Sequence, residues 1–404
     1  MDTQIQIQNF LSIMNIAVHG QDVLLSDPNW RYLLELASQH SLLPMFVKVA
    51  SKYPEFQSLK NYSPISKKAM FAVAYQVKST GSFLELYKAF SNEGIYPIVM
   101  KGLICRQLYI PYDNYRPSGD EDILIQIKDY VKVKKILEDS GYHTTFEVEP
   151  SQLTTVQEIP FKNVNTGLLI ELHLNPIGCE NDFRVKMNNY FKSVFKNYRE
   201  VEINGVKIRT MSHTDHFLYL VLHAFKHFTS GGFGIRQMLD ILLYDEKYGN
   251  HIDWKYLIKV FDELKITDFI SDLISIGNQY IGFDLKLLSN PKCPNDLLDD
   301  IISCGVFGSE TKVQQTSIQF TNAAMANKDS DSILRIIHTA FPGRAYMQTF
   351  NPEINDKPWL IVPEWGKRIG RFIKRKNNYD GNLMTESMEL SNKRIKLLKK
   401  YGVL

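Results

Sequence analysis

No C-x-x-C pair occurs in this chain: Cys105, Cys179, Cys293 and Cys304 lie far apart, which argues against a zinc ribbon or a disulfide framework. No apolar run, the longest being of the kind FLYLVL at 217–222, approaches the roughly 20 residues that a membrane-spanning helix needs. An excess of one charge is missing too. The 47 basic and 44 acidic residues leave +3, so the overall balance calls for neither a nucleic acid nor an anionic membrane. The amino terminus, with Asp2 and scattered glutamines, lacks the basic start and unbroken apolar stretch of a secretion signal. Internal repeats and low-complexity tracts are absent as well. These absences lead us to expect a cytoplasmic protein with no membrane partner, in which any preference for a polyanion is local.

What is present, 404 residues of which 44% are hydrophobic, suffices for two or three domains. Residues 1–94 read as helical. Trp30, Leu33, Leu34 and Ala37 recur at helical spacing, as do Phe83, Leu84, Leu86, Tyr87 and Phe90. Ser63 and Pro64 are expected to start a helix and Gly94 to end one. From Ile95 the pattern changes to short strand-like runs: IYPIVM (95–100), DILIQI (122–127) and LLIELHL (168–174). A helix from about Asp129 to Ser140, closed by Gly141, sits among them. Asn204-Gly205 inside VEINGVKI (201–208) predicts a hairpin, because both turn positions tolerate positive φ. Helical spacing resumes behind the cap Ser212-His213-Thr214-Asp215 and continues to Leu404. The expected organisation is an N-terminal helical region (1–94), an α/β core (95–210) and a C-terminal helical domain (211–404). The basic stretches GKRIGRFIKRK (366–376) and NKRIKLLKK (392–400) read as solvated faces or as a contact for an acidic partner.

The chemistry concentrates in RPSGDEDILI (116–125). Strand alternation puts Asp120 and Asp122 on one face and Glu121 on the other. D-x-D alone is also what a solvated strand start looks like, and its neighbours shift the balance. Two adjacent carboxylates repel unless a cation shields them, and hard oxygen ligands suit Mg²⁺. Before them, Lys101 and Gly102 stand at a strand-to-helix turn, where backbone N–H groups can approach a phosphate. Arg116 offers a fork for phosphate oxygens. After them, Glu171 and His173 share one face of a later strand. Glu121 reads as a bystander. His216, His223 and His227 share a helix face, but no acid stands between the last two, so they read as hydrogen-bonded histidines beside the cleft rather than as zinc ligands.

This order of motifs resembles the DNA polymerase beta-like nucleotidyltransferase superfamily. In detail it is similar to an uncharacterised bacterial nucleotidyltransferase family with an L-K-G, R-x-x-x-D-x-D and acid-x-His series, here Met100-Lys101-Gly102, Arg116 with Asp120 and Asp122, and Glu171 with His173. The similarity continues through LVLHAFKH (220–227), GIRQMLDI (234–241), AFPGR (340–344) and PWLIVPEW (358–365), nearly the whole chain. The resemblance implies an α+β fold: a polymerase beta-like mixed-sheet core flanked by N-terminal and C-terminal helical regions. It implies transfer of a nucleoside monophosphate from an NTP, ATP by preference, to a small-molecule, peptide or protein acceptor. Nucleic acid is not expected as acceptor, a tRNA end reached through the basic tail excepted. Asp120, Asp122 and Glu171 would be the catalytic acids and hold Mg²⁺, or Mn²⁺ in its place. Lys101, Gly102, Arg116, Ser118 and Gly119 would hold phosphates, His173 would belong to the active site, and Lys226, Arg236 and Asp240 would line the base and acceptor pockets. Arg236 and Asp240 also read as a simple i,i+4 ion pair. Two other readings stay open: a non-catalytic nucleotide-binding scaffold of the same fold, and a phosphotransferase.

Overall fold

The computed structural model describes residues 2–21, 23–179, 181–305, 311–327, 332–348, 351–355, 357–377, 379 and 381–404. Seven strands are defined: β1 (Ile98–Val99), β2 (Asp120–Leu124), β3 (Tyr142–His143), β4 (Glu158–Asn163), β5 (Leu169–His173), β6 (Tyr198–Ile203) and β7 (Val206–Met211). They form one mixed sheet in the order β3-β4-β5-β2-β1-β7-β6. Within it β2 runs antiparallel to β1 and parallel to β5, and β1 runs parallel to β7. The remaining described elements are helical, giving an α+β protein, and no described helix is long and apolar enough to cross a membrane.

Alternation divides the sheet residues between two cores. Val99, Ile123, Ile159, Ile170 and Ile208 face one side, clustering with Phe83 and Phe90 of the helix Tyr62–Asn92 and with Val133 and Leu137 of the helix Tyr130–Asp139. Ile98, Met100, Leu124 and Met211 face the other side. They join a larger core with Phe217 and Val221 of the helix His213–Ser230, with Leu239 and Leu242 of the helix Ile235–Tyr248, and with Phe10, Leu33 and Phe46 from the N-terminal helices. Helices from both ends of the chain therefore cover the face that carries Asp120 and Asp122.

Local sequence signals set several boundaries. Past the helix Tyr62–Asn92, Gly94 at φ 71° gives its N–H to Ser91 O, and Ile95 N–H reaches back to Phe90 O, both at 3.0 Å. That is a Schellman closure, which needs a residue at ease with positive φ. Asn204 and Gly205, at φ 50° and 77°, make the β6–β7 turn. Ser212 Oγ accepts from Asp215 N at 3.1 Å and starts the next helix. Other boundaries differ from expectation. The helix expected to start at Ser63 begins at Tyr62 with Asn61 before it; Pro64 still falls in the first turn, where a missing N–H is harmless. The run 95–100 pairs as a strand only at Ile98–Val99, because the Ile95 N–H is spent on the helix end and Pro97 has none. β2 starts at Asp120 rather than Asp122, since both acids are in register with β5, and ends at Leu124 before a short 3-10 turn, Ile127–Asp129.

Candidate active site

In the β2–β5 ladder Asp122 lies opposite Glu171 and Leu124 opposite His173, so Asp120, Asp122, Glu171 and His173 share one face. On the next strand, β4, Glu158 lies opposite His173. The His173 ring is the hub of these acids: its Nε2 stands 3.1 Å from Asp122 Oδ1, 3.4 Å from Glu158 Oε2 and 3.8 Å from Glu171 Oε2. Its Nδ1 donates to Asn175 O at 3.3 Å. Lys101, from the turn after β1, places Nζ 3.1 Å from the same Asp122 Oδ1. Above the sheet, on the helix His213–Ser230, His223 Nε2 accepts from Lys101 Nζ at 3.1 Å and lies 3.3 Å from His227 Nε2. Lys226 of the same helix donates to Gln157 Oε1 at 2.7 Å.

Charge at this site follows from burial and partners. Burial alone would disfavour an ionised Asp122, but Lys101 and His173 outweigh it and hold its carboxyl well below the usual range. Burial likewise works against the Lys101 ammonium, yet Asp122, with Tyr219, Asp120 and Glu171, holds its pKa well above the ordinary value. The same contest pushes His173 up to about 9, its burial offset by the Asp122 and Glu171 contacts, so it stands as an imidazolium. Burial lowers His223, with Lys101 adding to the effect, which suits a neutral acceptor for that lysine. Asp120 and Glu171 are raised by burial first, with Asp122 adding repulsion in each. Asp122 Oδ2 is buried and has no hydrogen-bond partner among the described residues.

Could these groups hold a divalent cation? Ligand atoms of Asp122, Glu171 and His173 lie within 4.8 Å of one another. Asp120, expected as the third ligand, is outside that set; His173 is in it, but as an imidazolium facing Asp122 and Asn175 O it has no lone pair to give a metal. The bare Asp122 Oδ2, together with the repelling Asp120 and Glu171 carboxyls, supplies the hard oxygen donors that Mg²⁺ takes.

Several expected phosphate holders are engaged elsewhere. Glu121 is no bystander: it points to the opposite face, only 1% exposed, where Oε1 pairs with Arg106 Nη1 at 2.7 Å and Oε2 accepts from Leu103 N at 2.7 Å. Gly102, at φ 52°, is needed for this approach, since a Cβ there would lie 2.0 Å from Glu121 Oε2. The helix start after Gly102, expected to face a phosphate, thus has its Leu103 N–H taken by a protein carboxylate. Arg116, expected as a phosphate fork, is buried and spends Nε and Nη2 on Asp240. Asp240 accordingly pairs with Arg116 and not with Arg236. Arg236 Nη1 donates to Pro117 O at 2.5 Å, and its Nε is buried without a partner among the described residues. Ser118 Oγ accepts from Arg106 Nη1 at 2.7 Å and Arg116 Nη1 at 3.2 Å, while Gly119 is exposed.

A family model described as an uncharacterised nucleotidyltransferase matches residues 26–282. The chain belongs to that nucleotidyltransferase family. The match covers well over half of the 404 residues, the β2 acids and Glu171 among them, and ends at 282. The AFPGR and PWLIVPEW segments therefore lie beyond it, contrary to a likeness over nearly the whole chain. No curated protein and no solved structure matches the chain.

In this nucleotidyltransferase, sequence reasoning missed Glu158, Arg106 and Tyr109. Glu158 carried a usable signal, an acid opening a strand that pairs beside the acid-x-His strand. Arg106 and Tyr109 carried none, because their partners Glu121 and Asp240 lie 15 and 131 residues further along the chain.

Proposed function

We propose that this protein is a divalent-metal-dependent nucleotidyltransferase of the polymerase beta-like kind, moving a nucleoside monophosphate from an NTP to an acceptor with release of pyrophosphate. The observation that carries the reading is the convergence of Asp122, Glu171 and Asp120 on one face of the sheet, with Asp122 Oδ2 buried and unpartnered among the described residues. The order of elements also supports it: a glycine turn after β1, D-x-D on the adjacent antiparallel β2, and an acid on the parallel β5.

Asp120, Asp122 and Glu171 would hold Mg²⁺, or Mn²⁺, which when bound neutralises the triphosphate and stabilises the attacking and leaving oxygens of an in-line displacement. Lys101 keeps its charge because Asp122 faces it, and it draws the phosphates toward the acids. Arg236, with an unpartnered Nε and Asp120 acting on its charge, offers the second cation at this mouth. His173 locks the rotamer of Asp122 through Oδ1 and leaves Oδ2 bare. Glu171 and Glu158, on the β4 side of Asp122, face the acceptor, and Glu158, the one not given to the metal, takes its hydroxyl proton. Lys226, held by Gln157, borders the same side. The acceptor is a small molecule, peptide or protein.

The test is incubation of the protein with each α-labelled NTP, Mg²⁺ and a cell extract, followed by identification of the labelled species. Transfer of the α-phosphate label to one acceptor supports the reading. Label that appears only when the γ-phosphate carries it would replace it with phosphoryl transfer.

A further inference from the structure

The residues leading into Asp120 are held by side chains from distant parts of the chain. Arg116 gives Nε to Asp240 Oδ1 at 2.8 Å and Nη2 to Oδ2, and the Tyr109 hydroxyl donates to the same Oδ1 at 2.9 Å. Pro117 O accepts from Arg236. Ser118 Oγ accepts from both Arg106 and Arg116, and its N–H donates to Gln76 Oε1 at 2.7 Å. Asp240 sits on the helix Ile235–Tyr248, whose first N–H donates to the buried His40 Nδ1 at 3.1 Å. The approach to β2 is thus referenced to the helical core rather than to neighbouring loops.

Building on the nucleotidyltransferase reading, we infer that Asp240 is a positioning residue: through Arg116 it fixes the segment 116–119 and so the place at which Asp120 and Asp122 stand over the sheet. Stability does not explain the pair. Both side chains are only 5% exposed, and a buried ion pair roughly breaks even against well-packed apolar groups of similar volume. What apolar groups cannot supply is direction, since a planar fork bound at two points fixes angle as well as distance. Asp240 also draws the Arg116 charge away from the acids four and six residues further on, which would otherwise compete for it.

The experiment compares wild type with Asp240→Asn, Asp240→Glu, the apolar double variant Arg116→Met/Asp240→Leu, and Asp122→Asn. Thermal melting, amide exchange over residues 116–124, and Mn²⁺ binding by electron paramagnetic resonance with a non-hydrolysable ATP analogue are read for each. The double variant is expected to melt only a few degrees below wild type, the Tyr109 hydroxyl having lost its acceptor, yet to exchange faster over 116–122 and bind Mn²⁺ about tenfold more weakly. Asp240→Glu should recover part of the loss seen in Asp240→Asn. A double variant with wild-type exchange overturns the inference, and so does wild-type Mn²⁺ affinity despite faster exchange. Wild-type protein that binds Mn²⁺ no better than Asp122→Asn contradicts the metal site itself, and the exchange result then decides the positioning role alone.

Discussion

Replacing Glu121 by glutamine is expected to destabilise the protein far more than the same change at Asp120, one residue earlier. Glu121 is 1% exposed and paired with Arg106, equally buried, while its other oxygen accepts the Leu103 N–H. Removing one partner of such a pair strands the other charge, at a cost of about 3–5 kcal/mol. The glutamine keeps one acceptor oxygen, so its NH₂ must face either the Arg106 guanidinium or the Leu103 N–H, a donor against a donor. That loss is a large part of the roughly 5–15 kcal/mol that stabilises a typical domain. Asp120 differs: its side chain makes no hydrogen bond or ion pair among the described residues, and burial with Asp122 repulsion raises its pKa. Asp120→Asn removes an unfavourable charge, so stability should hold or rise slightly. Urea denaturation followed by circular dichroism reads both. A Glu121→Gln variant that loses under about 1 kcal/mol, or less than Asp120→Asn does, would refute the assignment of the two faces of β2.

Gly102→Ala should cost about 1–3 kcal/mol, from positive φ and the Glu121 clash; the double variant with Glu121→Ala should lose less than the sum, and strict additivity in denaturation would argue against that contact. His40, fully buried, is lowered by burial from 6.5 to about 3, partly offset by the Ile302 carbonyl. Because the unfolded chain takes up this proton first, the stability His40 contributes is complete above pH 6.5 and drains away as pH falls toward 3, by about 2 kcal/mol at pH 5. His40→Asn, whose amide oxygen can still accept the Ile235 N–H, should flatten the melting-temperature profile between pH 6.5 and 5; parallel profiles would contradict this. Under the proposed function, Arg236→Ala should raise the NTP concentration for half-maximal binding about tenfold with little change in melting temperature, as isothermal titration can check.

The sequence announced what rests on short-range rules. Asn204-Gly205, Ser212 and Gly94 act within a turn of their own positions, and alternation alone separated Asp120 and Asp122 from Glu121. It also brought Glu171 and His173 to one face, which the β2–β5 register then set beside Asp122. What stayed hidden depends on pairs far apart in the chain. Nothing near Arg116 says that its fork meets Asp240, 124 residues on. Nor does Gly102, which looks like a phosphate turn, reveal that the close approach it permits is to Glu121. In both cases a donor that reads as a phosphate holder, the Arg116 fork or the N–H behind Gly102, is satisfied internally by a carboxylate, a distinction that only packing makes. β1 shrank for a related reason, since the helix end before it consumed a strand donor.

The central claim is metal-dependent release of pyrophosphate at the β2 acids. Its most direct measurement is pyrophosphate formed from each NTP with Mg²⁺ and a cell extract supplying the acceptor, for wild type, Asp120→Asn and Asp122→Asn. The account predicts release by wild type that chelation abolishes and that falls to background in both variants, while circular dichroism shows Asp120→Asn as stable as wild type and Asp122→Asn folded but less stable, Lys101 and His173 having lost their counter-ion. Release undiminished in either variant, or nucleoside diphosphate as the product in place of pyrophosphate, would contradict it.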